Sequence, residues 1–385
     1  MRLAFLLYKY FPYGGMQRDF KRFVEEVQLR GHHCRVYYIS WQGEPLANAD
    51  LRQVPVSALS NPRRNTRYYE WVQADMAGDP VDGVIGFNKM PGLDVYYAAD
   101  SCYLDKAMLE RSCLYRLGFR YRHFSTYERA VFERQSQTEI LLISDTEKAK
   151  FKKYYGTSEQ RLHMLPPGIS PDRRAPVDAP LRRANKREYL GCGEGEHLLL
   201  FVGSGFIKKG LGRAIRALAG LCNSRPEKNL QLFVVGQDKE RRFRRLAKSL
   251  GVFERVTFLG GRDDIPDLLL AADALIHPAL DEAAGIVLLE ALVAGLPVVV
   301  TDVCGYAHHV GTAGAGLVID SPFSQDKLDG AVLKTLEPNF LSECKINALA
   351  YAQREDLYSM HQTGAALIET LISNAAKQRR VNVDE

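Results

Sequence analysis

Several features that define whole classes of protein are missing from this sequence. No uncharged stretch reaches the ~20 residues that a transmembrane helix needs, and the apolar run at residues 3–7 is too short for a signal peptide and lacks a small-residue cleavage site. The seven cysteines are odd in number and form no CxxC pair, which argues against a disulfide framework or a Cys-rich metal site. We therefore expect a reduced protein that stays in the cytoplasm.

Two common phosphate-binding fingerprints are also missing. Gly14-Gly15 does not match GxGxxG, and no acidic residue ends a second strand, so a dinucleotide cofactor is not expected. The glycine-containing segment 203–210 is not a Walker A loop, because the spacing GxxxxGK[ST] is absent. Any phosphate-binding loop in this chain must be of another kind.

The chain has 385 residues, which is too long for one hydrophobic core and favours two domains. Its 46% apolar and 25% charged residues are ordinary for a globular protein. The net charge of +5 is too small to indicate a nucleic-acid partner by itself.

Apolar runs that read as buried strands alternate with helical patterns along the chain, which is typical of parallel sheets covered by helices. This alternation of strands and helices is interrupted at Pro166-Pro167-Gly168 and then resumes. The sequence therefore predicts an α/β protein of two doubly wound, Rossmann-like domains. We expect an N-terminal domain at residues 1–166, a C-terminal domain at 167–350, and a final helical segment at 351–385 that completes the second domain or packs back on the first.

The segment 281–290 leads into a predicted helix of the second domain. Glu282 and Glu290 stand eight positions apart, and the Ala-Ala-Gly sequence after Glu282 lets a ligand approach the backbone closely. N–H groups at a helix start attract phosphates or sugar hydroxyls, and a carboxylate suits a vicinal diol such as a ribose. The alternative is a surface helix with a capping acid and a solvated Glu. However, Glu290 lies among apolar residues, and a buried acid needs a compensating interaction.

Three further loops follow predicted strands or mark the domain boundary. Residues 203–210, with Lys208 and Lys209, fit a diphosphate cradle or an ordinary turn with solvated lysines. Residues 12–19 fit a ligand-binding turn or a plain βα turn in which Asp19 is solvated. Residues 166–173 lead into Arg173, which could meet a diphosphate or join the domains by an ion pair. Ligands of doubly wound sheets bind at such strand ends, and two such edges facing each other make a cleft.

The segment 103–134 combines basic and aromatic residues, including Arg116, Arg120 and Arg122. Arginine with aromatic residues suits an anionic membrane surface. It also suits RNA, where aromatic rings stack on bases. The third interpretation is an internal helix pair whose aromatic residues pack in the core.

The spacing of Glu282 and Glu290 resembles the E-x7-E signature of the retaining glycosyltransferases of family four, which have the GT-B fold. The segments 166–169 and 208–210 look like the hinge and phosphate loop of that family. Over residues 1–371 the chain is similar to the heptose glucosyltransferases of the lipopolysaccharide core, most specifically in residues 87–95 and also in 7–12.

The resemblance implies that UDP-glucose is the donor and that glucose is transferred with retention, giving an α linkage, to an inner-core heptose of lipid-linked lipopolysaccharide. No metal or other cofactor is implied, because cationic side chains and helix dipoles take the metal's place. Lys209, helped by Arg173 and Lys208, would neutralise the leaving diphosphate. The chain would bind the cytoplasmic face of the inner membrane through segment 103–134 and would not bind nucleic acid.

The implied catalytic residues are Asp19, Glu282 and Lys209. The implied donor contacts are Glu282 with the backbone of Ala283, Ala284, Gly285 and Ile286 at the glucose, Glu290 at the ribose, Arg262 at the uracil, and Gly15 with Asp19 from the N-terminal side.

The sequence departs from the family at two places. Many relatives have a His in the N-terminal domain near the donor sugar, where this chain reads Ala98-Ala99-Asp100-Ser101, so Asp100 is a candidate sugar or acceptor contact. The family often has an Arg several residues before the loop Lys, where this chain has Gly203 and Ser204. Three other functions stay open: transfer from another nucleotide sugar, a GT-B epimerase or phosphorylase, and a membrane-surface binding module without catalysis.

Overall fold

The computed structural model describes residues 1–12, 14–193 and 195–384, and it divides into two compact units. The N-terminal unit contains Met1–Gly168 and the chain from Tyr358 onward, and the C-terminal unit contains Ile169–Leu357. The boundaries expected from the sequence, after residues 166 and 350, lie slightly before these positions.

A parallel sheet forms the centre of the N-terminal unit. Within the described residues its strand order is β5-β3-β1-β6-β7-β8-β9, and Leu3 of β1 pairs with Cys34 on one side and Gly83 on the other. Leu3, Ala4, Phe5 and Leu6 are all buried, as expected for a strand covered on both faces. The strands of this unit are β1 (Arg2–Leu6), β2 (Lys9–Tyr10), β3 (His33–Tyr38), β4 (Ser40–Trp41), β5 (Ala49–Gln53), β6 (Gly83–Gly86), β7 (Val95–Ala98), β8 (Glu139–Leu142) and β9 (Leu162–Met164).

Helices cover both faces of this sheet. They are α1 (Gly15–Leu29), α2 (Asn61–Gly78), α3 (Tyr103–Glu110), α4 (Phe119–Phe132) and α5 (Asp145–Tyr155). A 3-10 turn at Cys113–Leu117 joins α3 to α4. The small pair β2-β4 lies apart from the main sheet, where Tyr10 and Trp41 stack with ring centroids 3.9 Å apart.

A second parallel sheet forms the centre of the C-terminal unit, with the order β12-β11-β10-β13-β14-β15 in the described residues. Counted along the chain this is 3-2-1-4-5-6, the strand order of the dinucleotide-binding doubly wound fold. Its strands are β10 (Glu196–Val202), β11 (Asn229–Val235), β12 (Val256–Gly260), β13 (Ala274–His277), β14 (Val298–Thr301) and β15 (Gly316–Ile319). The predicted fold class is confirmed.

The helices of the C-terminal unit are α6 (Ala179–Tyr189), α7 (Leu211–Ser224), α8 (Arg241–Ser249), α9 (Ile265–Ala271), α10 (Ile286–Val293), α11 (Ala307–Ala313), α12 (Gln325–Thr335) and α13 (Pro338–Arg354). The core of the unit lies between β10 and α7, where Phe201, Phe206, Ile215 and Leu218 are fully buried. This packing fixes the start of α7 relative to the end of β10, and therefore fixes the loop between them.

The final helical segment expected at residues 351–385 is not one helix. The helix α13 ends at Arg354, and α14 (Met360–Asp384) begins after a short non-helical stretch. Leu357 is fully buried, and its carbonyl accepts a hydrogen bond from Ile169 N at 3.0 Å. The helix α14 packs on α1, where a Cβ on Gly364 would come within 2.3 Å of the Phe23 ring. No helix in the described ranges is both long enough and apolar enough to cross a membrane.

Candidate functional site

The loop of residues 203–210 joins β10 to α7 at the point where the strand order of the C-terminal sheet reverses. Gly210 has a φ of +79° and directly precedes α7. A Cβ at this position would lie 1.9 Å from the Pro278 carbonyl oxygen, so glycine is required for the loop to pack against the chain that leaves β13. The Lys208 carbonyl accepts a hydrogen bond from Leu280 N at 2.7 Å across the same contact. The loop therefore holds Lys209 at the carboxyl edge of the sheet.

Lys209 and Glu282 form a largely buried ion pair at this edge. The Nε2 atom of His277, the last residue of β13, lies 3.6 Å from Oε2 of Glu282. Burial lowers the pKa of Lys209 to about 8, although the charge of the nearby Asp281 opposes this shift. Burial, together with the charge of Lys209, lowers the pKa of His277 to about 3. Near neutral pH the Lys209 amine is therefore largely charged and the His277 imidazole is neutral.

The backbone after Glu282 is fixed by the chain that follows β14. The Glu282 carbonyl accepts a hydrogen bond from Gly305 N at 3.1 Å, and the Ala284 carbonyl accepts one from Tyr306 N at 2.8 Å. Gly285, with a φ of +88°, caps α10 without a side chain. The first N–H groups of a helix lack intrahelical partners, and they carry the positive end of the helix dipole. Residues 283–286 thus offer backbone donors beside the Lys209–Glu282 pair.

Glu290 lies in the second turn of α10 and is buried, at 9% exposed. The Nε atom of Arg173, from a 3-10 turn at Pro171–Arg173, lies 3.7 Å from Oε1 of Glu290. Ala175 N donates to the Val293 carbonyl at 3.0 Å, which holds this segment along α10. The alternative of a solvated Glu290 is therefore wrong, and the cation that compensates its burial comes from the hinge segment.

Two predicted donor residues lie outside these buried pairs. Lys208 is exposed, and its Nζ atom lies 3.8 Å from Oδ2 of Asp281. Arg262 follows β12, donates to both carboxylate oxygens of Asp264 and shares that acid with Lys186. Arg262 therefore belongs to a separate cluster at the outer strand of the sheet.

In the N-terminal unit the structure buries Asp19 instead of leaving it solvated. Asp19 is 5% exposed, and its Oδ2 atom accepts a hydrogen bond from the Tyr97 hydroxyl at 2.8 Å. The Nε2 atom of His361 in α14 lies 3.1 Å from its other oxygen. Gly15 is the first residue of α1, and a Cβ there would meet no described atom within 4 Å. The interpretation of residues 12–19 as a turn with a solvated acid is wrong.

Asp100 follows β7 and is exposed on the wall of a cavity in the same unit. Tyr8, which follows β1, and Lys89, which follows β6, line the same cavity. The three residues thus come from the carboxyl ends of three neighbouring parallel strands.

The segment 103–134 divides into a buried part and an exposed part. Tyr127 and Phe132, two aromatic residues of this segment, belong to the core of the unit. Arg120 and Arg122 are exposed, whereas Arg116 is partly buried and donates to the sulfur atoms of Met108 and Cys113. The exposed large apolar residues of the segment are Met108, Leu109, Leu114, Leu117 and Phe119.

Two histidines next to the predicted site residues were not among the predictions. His277 ends a buried strand, and a polar residue at the carboxyl end of an apolar run was the signal that could have found it. His361 lies 342 positions from its partner Asp19, so no local pattern indicates their contact.

Comparison with known proteins agrees with this architecture. Residues 182–351 match the family model of the glycosyl transferases group 1. The lipopolysaccharide glucosyltransferase WaaG of Escherichia coli (strain K12) is 50% identical over 369 residues, which cover 96% of this chain and 98% of that protein. A crystal structure of WaaG, a glycosyltransferase involved in lipopolysaccharide biosynthesis, has a TM-score of 0.89 and covers 95% of this chain and 99% of that one.

A more distant structure, the Anabaena protein HepE in complex with UDP-glucose, has a TM-score of 0.76 at 18% identity, covers 96% of this chain and 100% of its own, and supports the fold alone. The two Rossmann-like units and these likenesses define a glycosyltransferase of the GT-B class. The chain belongs to the family of the E. coli lipopolysaccharide glucosyltransferase, and its residues 182–351 match the group 1 glycosyltransferases, which confirms the resemblance drawn from the E-x7-E spacing.

Proposed function

We propose that this protein transfers glucose from UDP-glucose to an inner-core heptose of lipopolysaccharide, with retention of the α configuration. The observation that carries the proposal is the buried Lys209–Glu282 pair at the switch point of the C-terminal sheet, in a chain that is 50% identical to the E. coli lipopolysaccharide glucosyltransferase along nearly its whole length.

The charges of the C-terminal unit support a nucleoside-diphosphate sugar as the donor. A leaving diphosphate develops negative charge that fixed cations stabilise in a partly desolvated site. Lys209 would take this task, with Arg173 beside Glu290 and with the exposed Lys208 as a further cation. We propose that these side chains and the start of α10 act in place of a metal ion, so that the enzyme needs no cofactor.

The same unit offers groups for the two sugars and the base of the donor. Glu282 and the backbone of residues 283–286 would hold glucose hydroxyls, because a carboxylate accepts and N–H groups donate hydrogen bonds. Glu290 would accept the two hydroxyls of the ribose. Arg262 would lie against the uracil, for which its guanidinium provides a flat, charged surface.

The N-terminal unit would contribute the acceptor side of the reaction. Gly15 leaves room at the start of α1 for a ligand to approach the backbone. Asp19 would act near the reacting sugar, held in position by Tyr97 and His361. Asp100 would contact the sugar or the acceptor from the end of β7.

Transfer of labelled glucose tests the proposal directly. UDP-[14C]glucose is incubated with the protein, with EDTA, and with purified lipopolysaccharide that ends at the inner core. We expect label in the lipid fraction and its loss in Glu282→Ala. If UDP-galactose or UDP-N-acetylglucosamine transfers and UDP-glucose does not, the donor assignment is wrong. If no nucleotide sugar transfers, the enzymatic proposal itself fails.

We also propose that the protein works at the cytoplasmic face of the inner membrane and docks there through segment 103–134. Exposed apolar side chains such as Leu114, Leu117 and Phe119 stand in the same segment as the exposed Arg120 and Arg122. Apolar insertion together with basic residues is the combination that binds anionic bilayers.

Vesicle binding tests this docking site. Reversing Arg116, Arg120 and Arg122 to Glu should abolish sedimentation with phosphatidylglycerol-containing vesicles. The same charge reversal at the exposed Arg241, Arg242 and Arg245 of α8 is the matched control and should leave binding in place. Unchanged binding of the first variant would refute the docking site.

A further inference from the structure

A cavity of about 380 Å³ lies in the N-terminal unit at the switch point of its sheet. Tyr8 follows β1, Asn88 and Lys89 follow β6, and Asp100 and Ser101 follow β7, so one wall is made of three neighbouring strand ends. Tyr8 N donates to Oδ1 of Asn88 at 2.8 Å and joins the first two strand ends. The opposite walls come from α2, α3 and α4. The carboxyl edge of a doubly wound sheet, at its switch point, is where such folds bind ligands.

Three side chains on the walls of this cavity carry buried polar atoms that have no hydrogen-bond partner among the described residues. These atoms are Oη of Tyr8, Nε of Arg64 and Oδ1 of Asn65. Asn65 itself is only 5% exposed. A buried polar group without a partner destabilises the protein, and a molecule bound in the cavity can supply partners to these three groups.

The cations Lys89 and Arg64 on the cavity wall differ in whether an acidic side chain already neutralises them. The Nζ atom of Lys89 lies 2.5 Å from Oε1 of the fully buried Glu128 and donates to the Ser101 carbonyl at 2.8 Å, so this cation is already compensated. Arg64 has no ion pair of this kind among the described contacts, and its guanidinium is suited to a carboxylate or a phosphate. Burial raises the pKa of Tyr8, so its hydroxyl is a neutral donor at any physiological pH.

The remaining walls suit a sugar. Tyr103 and Phe124 line the cavity with ring centroids 5.5 Å apart, and Tyr127 lies beside them. Aromatic surfaces with a few converging polar groups are typical of small-ligand sites. Asp100 adds a carboxylate that can accept hydrogen bonds from sugar hydroxyls.

We propose that this cavity binds an anionic sugar of the acceptor, one that carries a phosphate or a carboxylate, and that Arg64 and Tyr8 donate hydrogen bonds to the charged group. The proposal rests on the proposed function for the identity of the acceptor, but the cavity can be tested by binding alone.

The binding arm measures, by calorimetry, the affinity of the full-length protein for deacylated inner-core oligosaccharide. Arg64→Ala should weaken binding about tenfold or more, as expected for the loss of a hydrogen bond to a charged group. Arg64→Lys should recover part of that loss because it keeps the charge. Arg63→Ala, an exposed neighbour on α2, is the matched control and should bind like the wild type.

Tyr8→Phe separates ligand binding from a structural effect. The variant keeps the ring, which contacts Tyr68 at a centroid distance of 5.0 Å, and removes only the unpaired hydroxyl. The melting temperature should stay the same or rise, while oligosaccharide binding weakens several-fold. A structural hydroxyl would instead lower the melting temperature when it is removed.

Two chemically altered acceptors distinguish the source of the charge. One altered acceptor lacks the phosphates, and the other has its carboxyl groups reduced to alcohols. We expect the wild type to bind only one of the two more weakly than the untreated oligosaccharide. With that acceptor, Arg64→Ala should bind as strongly as the wild type does. The cavity proposal is overturned if Arg64→Ala and Tyr8→Phe bind the untreated oligosaccharide like the wild type, or if Arg63→Ala weakens binding as much. Absence of glucose transfer by the wild type would refute the proposed function and leave this binding result to stand by itself.

Discussion

The switch points of the two sheets present their polar groups in different ways. In the C-terminal unit Lys209 already meets Glu282 and Arg173 lies beside Glu290, although both ring nitrogens of His277 have no hydrogen-bond partner among the described residues. In the N-terminal unit Tyr8, Arg64 and Asn65 have polar atoms that meet no partner among the described residues, around a cavity of about 380 Å³. The first arrangement suits a ligand whose charge must be stabilised as it develops, because preformed charges cost no reorganisation. The second suits a ligand that completes the hydrogen bonds of the site on binding.

The largest expected effect comes from removing the cation of the preformed cluster. Lys209→Ala should lower kcat for glucose transfer about 10²–10³-fold, the range seen when one stabilising group is removed from a developing anion. Lys208→Ala, which removes an exposed neighbour, should cost about tenfold or less, because exposed charges are screened. Steady-state kinetics measures kcat for both variants. Equal losses of kcat would contradict the different roles assigned to the buried and the exposed lysine.

A smaller effect is expected at the second pair. Glu290→Gln should raise KM for UDP-glucose about tenfold, which corresponds to about 1.4 kcal/mol of lost donor binding. Asp172→Asn is the matched control, because the Asp172 carboxylate also lies near Arg173, at 4.0 Å, but is exposed to solvent. An unchanged KM in Glu290→Gln would exclude Glu290 from the donor site.

The pH dependence of transfer tests the state of Lys209. Because burial lowers the pKa of Lys209 to about 8, the amine is charged below that pH and loses its charge as the pH rises through it. We therefore expect kcat/KM to fall on the basic side of about pH 8, and Lys209→Arg to move that fall to higher pH because arginine stays charged. A basic limb that is the same in Lys209→Arg would show that another group titrates.

The smallest effect is expected in the N-terminal unit. Tyr97→Phe removes one hydrogen bond to Asp19 and should lower the free energy of unfolding by about 1 kcal/mol. Its affinity for UDP should stay that of the wild type. Denaturant unfolding measures the change in stability, and titration with UDP measures the affinity. A loss of UDP affinity in Tyr97→Phe would contradict the assignment of nucleotide binding to the C-terminal unit.

The sequence predicted those features that depend on residues close together in the chain. Apolar runs at residues 3–7, 198–202 and 298–301 coincide with buried central strands, because strands covered on both faces are continuously apolar. The strand β5 was missed, because it lies at the edge of its sheet and its half-exposed sequence Ala-Asp-Leu-Arg-Gln has no apolar run. Likewise the E-x7-E spacing indicated Glu282 and Glu290, but their partners could not be predicted. Arg173 reaches Glu290 through tertiary packing alone, and the unpaired atoms of Tyr8, Arg64 and Asn65 come together only when the end of β1 packs against α2.

The most direct test of this division is UDP-glucose binding measured by calorimetry in three variants. Lys209→Ala and Glu290→Gln change the preformed cluster, and Arg64→Ala changes the cavity of the other unit. We predict weaker UDP-glucose binding in the first two and wild-type binding in Arg64→Ala. Wild-type binding in Lys209→Ala and Glu290→Gln, or a clear loss in Arg64→Ala, would contradict the assignment of the donor to the C-terminal unit.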